Sequence, residues 1–244
     1  MTVSFVIPAH NEERLIARTL VALREAARSV AEPYETIVVD DSSTDRTAAV
    51  AEAHGARVIR VAHRQISATR NTGARAARGE VLIFVDADTL VSAPLLRAAL
   101  DAMRGGASGG GCTIKFDGRL PLYAQMIEPL LVNAFRHASL AAGCFVFCTR
   151  EAFNAVGGFD ESVYGGEEIL MSQALKRHGP FVVLRETVLT SGRKLRAYSA
   201  SEMFRIMGFL ISRGRKSVES RDGLDIWYGP RREDPETERR ARRA

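Results

Sequence analysis

Residues 81–88 read Val-Leu-Ile-Phe-Val-Asp-Ala-Asp. Five consecutive apolar residues without alternation describe a strand covered on both faces, the environment of a parallel sheet. The run ends in two carboxylates one residue apart, and side chains at i and i+2 of an extended chain share a face. Two readings follow. In one, the aspartates cap backbone groups of a turn. In the other, both address one hard divalent cation, Mg2+ or Mn2+, which takes oxygen ligands and is shared with substrate phosphates. The second reading makes a nucleotide-linked substrate the first hypothesis.

The chain before this strand repeats one pattern. Val3 to Ile7 is an apolar run that stops at Pro8, and Leu15, Ile16, Leu20 and Leu23 then fall on one face of a helix. Thr36 to Val39 is a second strand, closed by Asp40 and Asp41. Ser42-Ser43-Thr44-Asp45 has the spacing of a capping box, opening a helix to about His54 with Gly55 as its cap. Arg57 to Val61 is a third strand, and an Ala- and Arg-rich helix over 66–78 ends at Gly79. This β-α-β-α-β-α-β order predicts an α/β fold whose mainly parallel sheet carries helices on both faces. Ligands of such sheets collect beyond the carboxyl ends of the strands. Pro8-Ala9-His10, Asp40-Asp41 and Asp86-Ala87-Asp88 all fall there, which strengthens the cation reading.

The second half is less regular. Five glycines in residues 105–111 predict a loop, followed by a strand over Cys112 to Phe116. Leu122, Met126, Ile127, Leu130, Leu131, Ala134 and Phe135 recur at helical spacing; a core-facing helix is expected, with a groove for a lipid-like acceptor as the alternative. Cys144 to Cys148 reads as a strand and Arg150 to Val156 as a short helix broken by Gly157-Gly158. Gly165-Gly166-Glu167-Glu168 opens a helix to about His178. Two acids suit a first helical turn electrostatically; alternatively one is a general base for an incoming hydroxyl.

Size and composition set bounds. The 244 residues suffice for one substantial α/β domain or two small ones, and 46% hydrophobic with 26% charged residues excludes wholesale disorder. Cys112, Cys144 and Cys148 are too few for a disulfide framework and read as small buried thiols in a reducing compartment. No cationic-then-apolar leader and no apolar run near the ~18 residues of a spanning helix is visible, so a soluble, cytoplasmic protein is expected, with peripheral contact on the inner face of a membrane left open. Met203 to Ile211 is apolar with one arginine; core or oligomer packing is expected, with a membrane surface reached by Arg213, Arg215 and Lys216 as the alternative. Arg231 to Ala244 holds six arginines and four acids and no aliphatic residue larger than alanine, so a mobile basic tail is expected over 229–244. No aromatic-basic interleaving supports nucleic-acid binding.

Six segments taken together resemble family 2 glycosyltransferases. They are Val-Ile-Pro-Ala-His-Asn-Glu (6–12), Val-Asp-Asp-Ser-Ser-Thr-Asp-Arg-Thr (39–47), Ala-Thr-Arg-Asn-Thr-Gly (68–73), Phe-Val-Asp-Ala-Asp (84–88), Gly-Gly-Phe-Asp-Glu (157–161) and Gly-Gly-Glu-Glu (165–168). The resemblance covers roughly residues 1–190 and names no sugar. It implies a GT-A fold, a nucleotide-diphospho-sugar donor, inversion at the anomeric carbon, and Mg2+ or Mn2+. The expected organisation is a donor half over 1–104 and a smaller, mixed acceptor half over 105–228.

By the same resemblance Asp41 contacts the nucleobase, with Pro8, Ala9, His10 and Glu12 beside it and Asp40 supporting the turn. Asp88 is the direct metal ligand, while Asp86 and Ala87 lie nearer the ribose or sugar, with Asp86 also available to the metal. The base is sought between Glu167 and Glu168 and assigned to Glu168, where the family more often has Asp. Arg70, at a helix start, and Thr190-Ser191-Gly192-Arg193-Lys194, a glycine turn followed by two cations, are candidates for holding the diphosphate, with a solvated basic surface as the alternative for each. His10 is expected to pack or hydrogen-bond rather than ligate, and His54, His63, His137 and His178 have no ligand spacing. The acceptor is a glycan, a lipid-linked or a small molecule in cell-envelope or related glycoconjugate synthesis. A nucleotidyltransferase is disfavoured because the first strand lacks a Gly-rich phosphate loop; a catalytically silent nucleotide-sugar-binding protein is the reading from another class.

Overall fold

The computed structural model describes residues 1–138, 140–141 and 143–235. Its first half alternates strands and helices: β1 Val3–Ala9, α1 Ile16–Val30, β2 Tyr34–Asp41, α2 Thr47–Ala53, β3 Arg57–Val61, α3 Ile66–Ala76 and β4 Val81–Val85. A two-residue strand β5 (Thr89–Leu90) and helix α4 (Ala93–Arg104) follow; Ser92 caps α4 by accepting the Leu95 N–H, and Pro94 sits in its first turn. Then come β6 Gly109–Phe116, α5 Leu122–His137, β7 Phe145–Thr149, α6 Arg150–Val156, α7 Glu167–His178 and β8 Phe181–Thr190. The chain continues through α8 Arg193–Ala197, α9 Ala200–Arg213, a 3-10 turn over Gly214–Val218 and α10 Asp225–Tyr228.

All eight strands join one sheet in the order β3-β2-β1-β4-β7-β6-β8-β5. The ladders β1–β2, β1–β4, β2–β3 and β6–β8 are parallel; those of β7 with β4 and β6, and of β5 with β8, are antiparallel. The two-residue period of each strand feeds two cores. Phe5, Ile7, Ile83, Val85, Phe145 and Phe147 face α1 and α4 on one side. Val6, Val39, Leu82, Phe84, Val146 and Cys148 face residues of α3, α6 and α7 on the other. Phe84 meets Phe159 edge-on, with ring centroids 4.8 Å apart. This is the α/β sandwich expected from the alternating order, extended by a mixed region that carries the later strands.

Several local expectations change. Strand β1 continues through Pro8, which pairs in register with Val39. The β4 ladder on its other side has ended at Val6–Phe84, so the missing N–H interrupts nothing there. Ser42 does not cap α2. It adopts φ 60° and donates to the Val61 carbonyl, while Asp45 accepts the Thr47 N–H at 2.9 Å in an Asx-type turn.

The glycine run is not all loop, because Gly109 to Gly111 form the start of β6. A Cβ on Gly109 would lie 2.8 Å from the Phe147 carbonyl oxygen, so close strand packing and not flexibility selects glycine here. The apolar stripes of α5 and α9 are not buried in a core. Leu122, Met126 and Leu130, and likewise Phe204, Met207 and Ile211, are exposed. The side chains of Leu131 and Phe135 lie outside the described residues. All three cysteines are free and buried, and burial pushes their thiols up. No described helix is long and apolar enough to cross a membrane.

Candidate functional site

The ends of β1, β2 and β4 open onto one pocket. Pro8, Ala9, His10 and Glu12 line it from β1 and its loop, Asp41 from β2, and Asp86, Ala87 and Asp88 from the tip of β4. Parallel neighbours put these tips on the same edge of the sheet. The loops above them are interlocked: Asn11 takes φ 52° and its side-chain oxygen accepts the Thr44 N–H at 2.8 Å, while its own N–H reaches the Ser43 hydroxyl. His10 donates from Nδ1 to the Asp41 carbonyl at 2.7 Å, a bond between two strand tips rather than a ligand position.

Asp41 is buried and organises the pocket wall. Its carboxylate accepts the Arg64 N–H at 2.8 Å, the Gln65 N–H at 3.0 Å and the Thr69 hydroxyl at 2.9 Å, fixing the start of α3. Oδ1 carries one of these three bonds, which leaves it acceptor capacity toward the pocket. Asp40, the neighbouring acid, does not line the pocket and its buried Oδ1 has no partner.

Asp88 sits among acids. Burial first, then the neighbouring charges of Glu12 and Asp86, push its carboxyl up to about 6 against the opposing pull of Lys194 and Arg193. Its Oδ1 accepts only long hydrogen bonds, 3.5 Å from Thr89 and 3.3 Å from Thr190. Burial in turn pulls the Lys194 ammonium down. Among the described residues no three His, Cys, Asp or Glu side chains converge as an all-protein metal cage requires. Asp88 and Asp86 are the carboxylates that could hold a divalent ion, and Mg2+ or Mn2+ takes one or two carboxylates and completes its shell with phosphate and water.

Behind the β4 tip lies Arg70. Its Nη1 donates to Glu167 at 2.9 Å, and its Nη2 donates to Asp86 and to the Gly143 carbonyl, both at 2.8 Å. The guanidinium is also 5.2 Å from the centroid of the Phe159 ring. Arg70 was expected as a diphosphate contact, but it is buried and outside the pocket lining; both its Nη atoms are engaged, while its Nε has no partner. Gly166, at φ 69°, turns the chain into α7 so that Glu167 points inward to this arginine. Glu168 faces Gly143: a Cβ there would come within 3.0 Å of the Glu168 carboxyl carbon. Burial and the Glu167 charge raise the Glu168 carboxyl to about 7.

The last wall comes from the far end of the chain. Glu12 holds Arg193 in a fork at 3.1 and 2.8 Å and Arg231 at 2.6 Å, and Arg231 also donates to the His10 carbonyl. Of the two cations expected at the phosphates, Arg193 is thus paired with Glu12, while Lys194 lines the pocket. Trp227 and Tyr228 complete the wall; Tyr228 stands edge-on to Tyr164 and burial raises its phenol. Residues 229–235 of the expected tail pack on the body, with Arg196 bonding Asp234 at 2.6 Å and Arg232 over the Tyr198 ring; residues 236–244 lie outside the described residues. Sequence reasoning missed Gln65, Trp227, Tyr228 and Arg231. Only the lone tryptophan beside a tyrosine and a glycine was a signal, and it gave no direction.

Residues 4–156 match the profile of Glycosyl transferase family 2. The chain belongs to this family. Validoxylamine A glucosyltransferase of Streptomyces hygroscopicus subsp. limoneus is 29% identical over 75% of this chain and 50% of its own. The chain spans about half the length of the curated relatives it matches first. Among solved structures, the mannosyltransferase PcManGT from Pyrobaculum calidifontis, in complex with GDP-Man and Mn2+, superposes with TM-score 0.66 at 19% identity, covering 85% of this chain and 60% of its own. S. aureus TarS 1–349 in complex with UDP-GlcNAc gives 0.62 at 22%, covering 87% and 66%. The fold of this family 2 member is GT-A.

Proposed function

We propose that this family 2 member transfers a sugar from a nucleotide-diphospho-sugar to an acceptor hydroxyl or phosphate, with inversion and with a divalent cation. The observation that carries the reading is the adjacency of Asp41, Asp86 and Asp88 in one pocket to a carboxyl, Glu168, poised near neutrality on the far side of Arg70. Neighbours in complex with GDP-Man and Mn2+ and with UDP-GlcNAc support the donor class.

In this reading the nucleobase lies against Pro8 and Tyr228, and Asp41 Oδ1 accepts from it. Lys194 and Arg231 face the diphosphate. Asp88, with Asp86 beside it, holds the Mg2+ or Mn2+ ion, which when bound offsets charge on the diphosphate. Glu168 removes the acceptor hydroxyl proton. The oxygen bonds to the anomeric carbon as the bond to phosphate breaks, and the electron pair leaves on the diphosphate. Attack opposite to the leaving group inverts the centre. Residues 1–104 form the donor half and 105–228 the acceptor half, with the end of the chain closing the donor pocket.

A thermal-shift panel of UDP-, GDP- and dTDP-sugars with and without Mn2+ tests the reading. One donor at a hundredfold excess over its Kd should stabilise the protein by ~2.7 kcal/mol. Glu168→Gln should keep that shift and lose transfer. Absence of any metal-dependent shift across the panel sinks the proposal. A shift without even slow donor hydrolysis identifies a silent binding protein.

A further inference from the structure

Eight large hydrophobic side chains are exposed among the described residues, and six of them lie on two helices. On α5, Leu122, Met126 and Leu130 are 77, 75 and 70% exposed and stand at i, i+4 and i+8. On α9, Phe204, Met207 and Ile211 follow i, i+3 and i+7, with Ile211 75% exposed. Each set is therefore one stripe on one helical face. Contiguous exposed apolar surface on this scale marks an interaction site rather than ordinary surface scatter.

The two striped helices begin close together in the fold. Tyr123, in the first turn of α5, donates its hydroxyl to the Leu195 carbonyl at 2.6 Å, and the Tyr198 carbonyl lies 3.3 Å away, one residue before the Ser199 cap of α9. Both helices thus start from one corner. Each then leads to the Glu168 neighbourhood. After α5 the chain reaches Gly143, which faces Glu168. After α9 the Val218 carbonyl accepts the Tyr164 N–H at 2.5 Å, directly before Gly165-Gly166.

Charge selects the partner. From Ala200 to Val218 the chain carries Arg205, Arg213, Arg215 and Lys216 against one acid, Glu202, which is held by Arg232 and by the cap. All four cations are exposed; Arg215 pairs with Asp160 at 3.1 Å and with Glu219 at 3.7 Å, so Arg205, Arg213 and Lys216 carry the excess positive charge. Self-association about a two-fold axis through this helix would oppose these cations to their own copies. An apolar face bordered by cations complements a bilayer whose headgroups carry negative charge.

We propose that α5 and α9 dock this protein onto an anionic lipid surface, with Leu122, Met126, Leu130, Phe204, Met207 and Ile211 entering the headgroup boundary. Because the chain runs from both helices to the Glu168 neighbourhood, we assign the acceptor as a lipid-borne hydroxyl or phosphate; this last step alone rests on the proposed transferase reading.

Flotation of the full chain with vesicles of phosphatidylcholine, with and without 30 mol% phosphatidylglycerol (roughly a physiological anionic fraction), tests docking without any donor. Binding to the anionic vesicles is expected, falling with added salt. Met126→Asp with Ile211→Asp should abolish it. Arg205→Gln and Lys216→Gln should each weaken it roughly fivefold. Because the native cysteines are buried, Met126→Cys and Ile211→Cys can be labelled selectively with an environment-sensitive dye, whose emission should shift blue on vesicle addition. Circular dichroism of the variants confirms folding. No flotation, flotation indifferent to the apolar substitutions, or a concentration-dependent dimer that protects both dyes without lipid overturns the proposal. Flotation without transfer to any lipid acceptor leaves docking standing and removes only the acceptor assignment.

Discussion

Arg70 and Glu167 form an ion pair of 2.9 Å with only 3 and 6% of their side chains exposed. The same guanidinium holds Asp86, so one buried cation joins the tip of β4 to the start of α7. This separates two adjacent acids that look equivalent in sequence. Glu167 is neutralised by a permanent partner, whereas Glu168 is half-buried beside that pair, and desolvation with the Glu167 charge raises it to about 7.

Arg70→Met should destabilise the fold by ~3–5 kcal/mol, since it leaves Glu167 buried without its cation. Urea unfolding measures this. A loss under about 1 kcal/mol, the scale of an exposed pair, would refute the buried-clamp reading.

A general base works in its ionised form. With Glu168 raised to about 7, transfer should increase with pH through that value and flatten above it. Glu168→Gln should remove this limb and lower the rate by roughly 10²–10⁴-fold. A wild-type profile flat between pH 5.5 and 8.5 (about 1.5 pH units on either side of neutrality) would place the base elsewhere.

Asp88→Asn should retain the fold, because its carboxylate makes only long hydrogen bonds, and should lose Mn2+-dependent donor stabilisation. Calorimetric titration with Mn2+ in the presence of the preferred donor checks it; unchanged Mn2+ dependence removes Asp88 from the metal site. Chelation of the wild type with EDTA should reproduce the variant.

Arg231→Ala breaks a 2.6 Å pair with Glu12 and a contact to the His10 carbonyl. Donor Kd should rise roughly tenfold, the scale of one hydrogen bond to a charged group, with little change in melting temperature. Equal donor affinity would show that the end of the chain is not part of the pocket.

Gly110→Ala should destabilise by ~1–3 kcal/mol through overpacking, because a Cβ there runs into the Val182 carbonyl oxygen and the Phe147 ring. Thermal unfolding reads the effect. If residue 110 were in an open loop, alanine would be neutral or stabilising.

The alternating order of the first half was legible because buried parallel strands are continuous apolar runs and their helices keep a 3.6-residue period. Strands β1 to β4 and helices α1 to α3 therefore lie where pattern places them, to within a few residues. The glycine run of β6 was not legible: sequence shows the absence of side chains but not the neighbouring strand that requires it. The stripes of α5 and α9 misled for a related reason, since periodicity reports an apolar face and not what covers it.

The chain by itself determined which chemistry was available: carboxylates at three strand tips, an acidic pair after two glycines, and family motifs in order. These are local properties, written by spacing along the backbone. Only tertiary structure decided the assignment of partners. Arg70 became a buried clamp, Arg193 was claimed by Glu12, and Lys194, Tyr228 and Arg231 were brought to the pocket from more than a hundred residues away. Charge pairing acts through space, so which cation meets which acid is settled only when the sheet, the helices and the returning end of the chain are packed together.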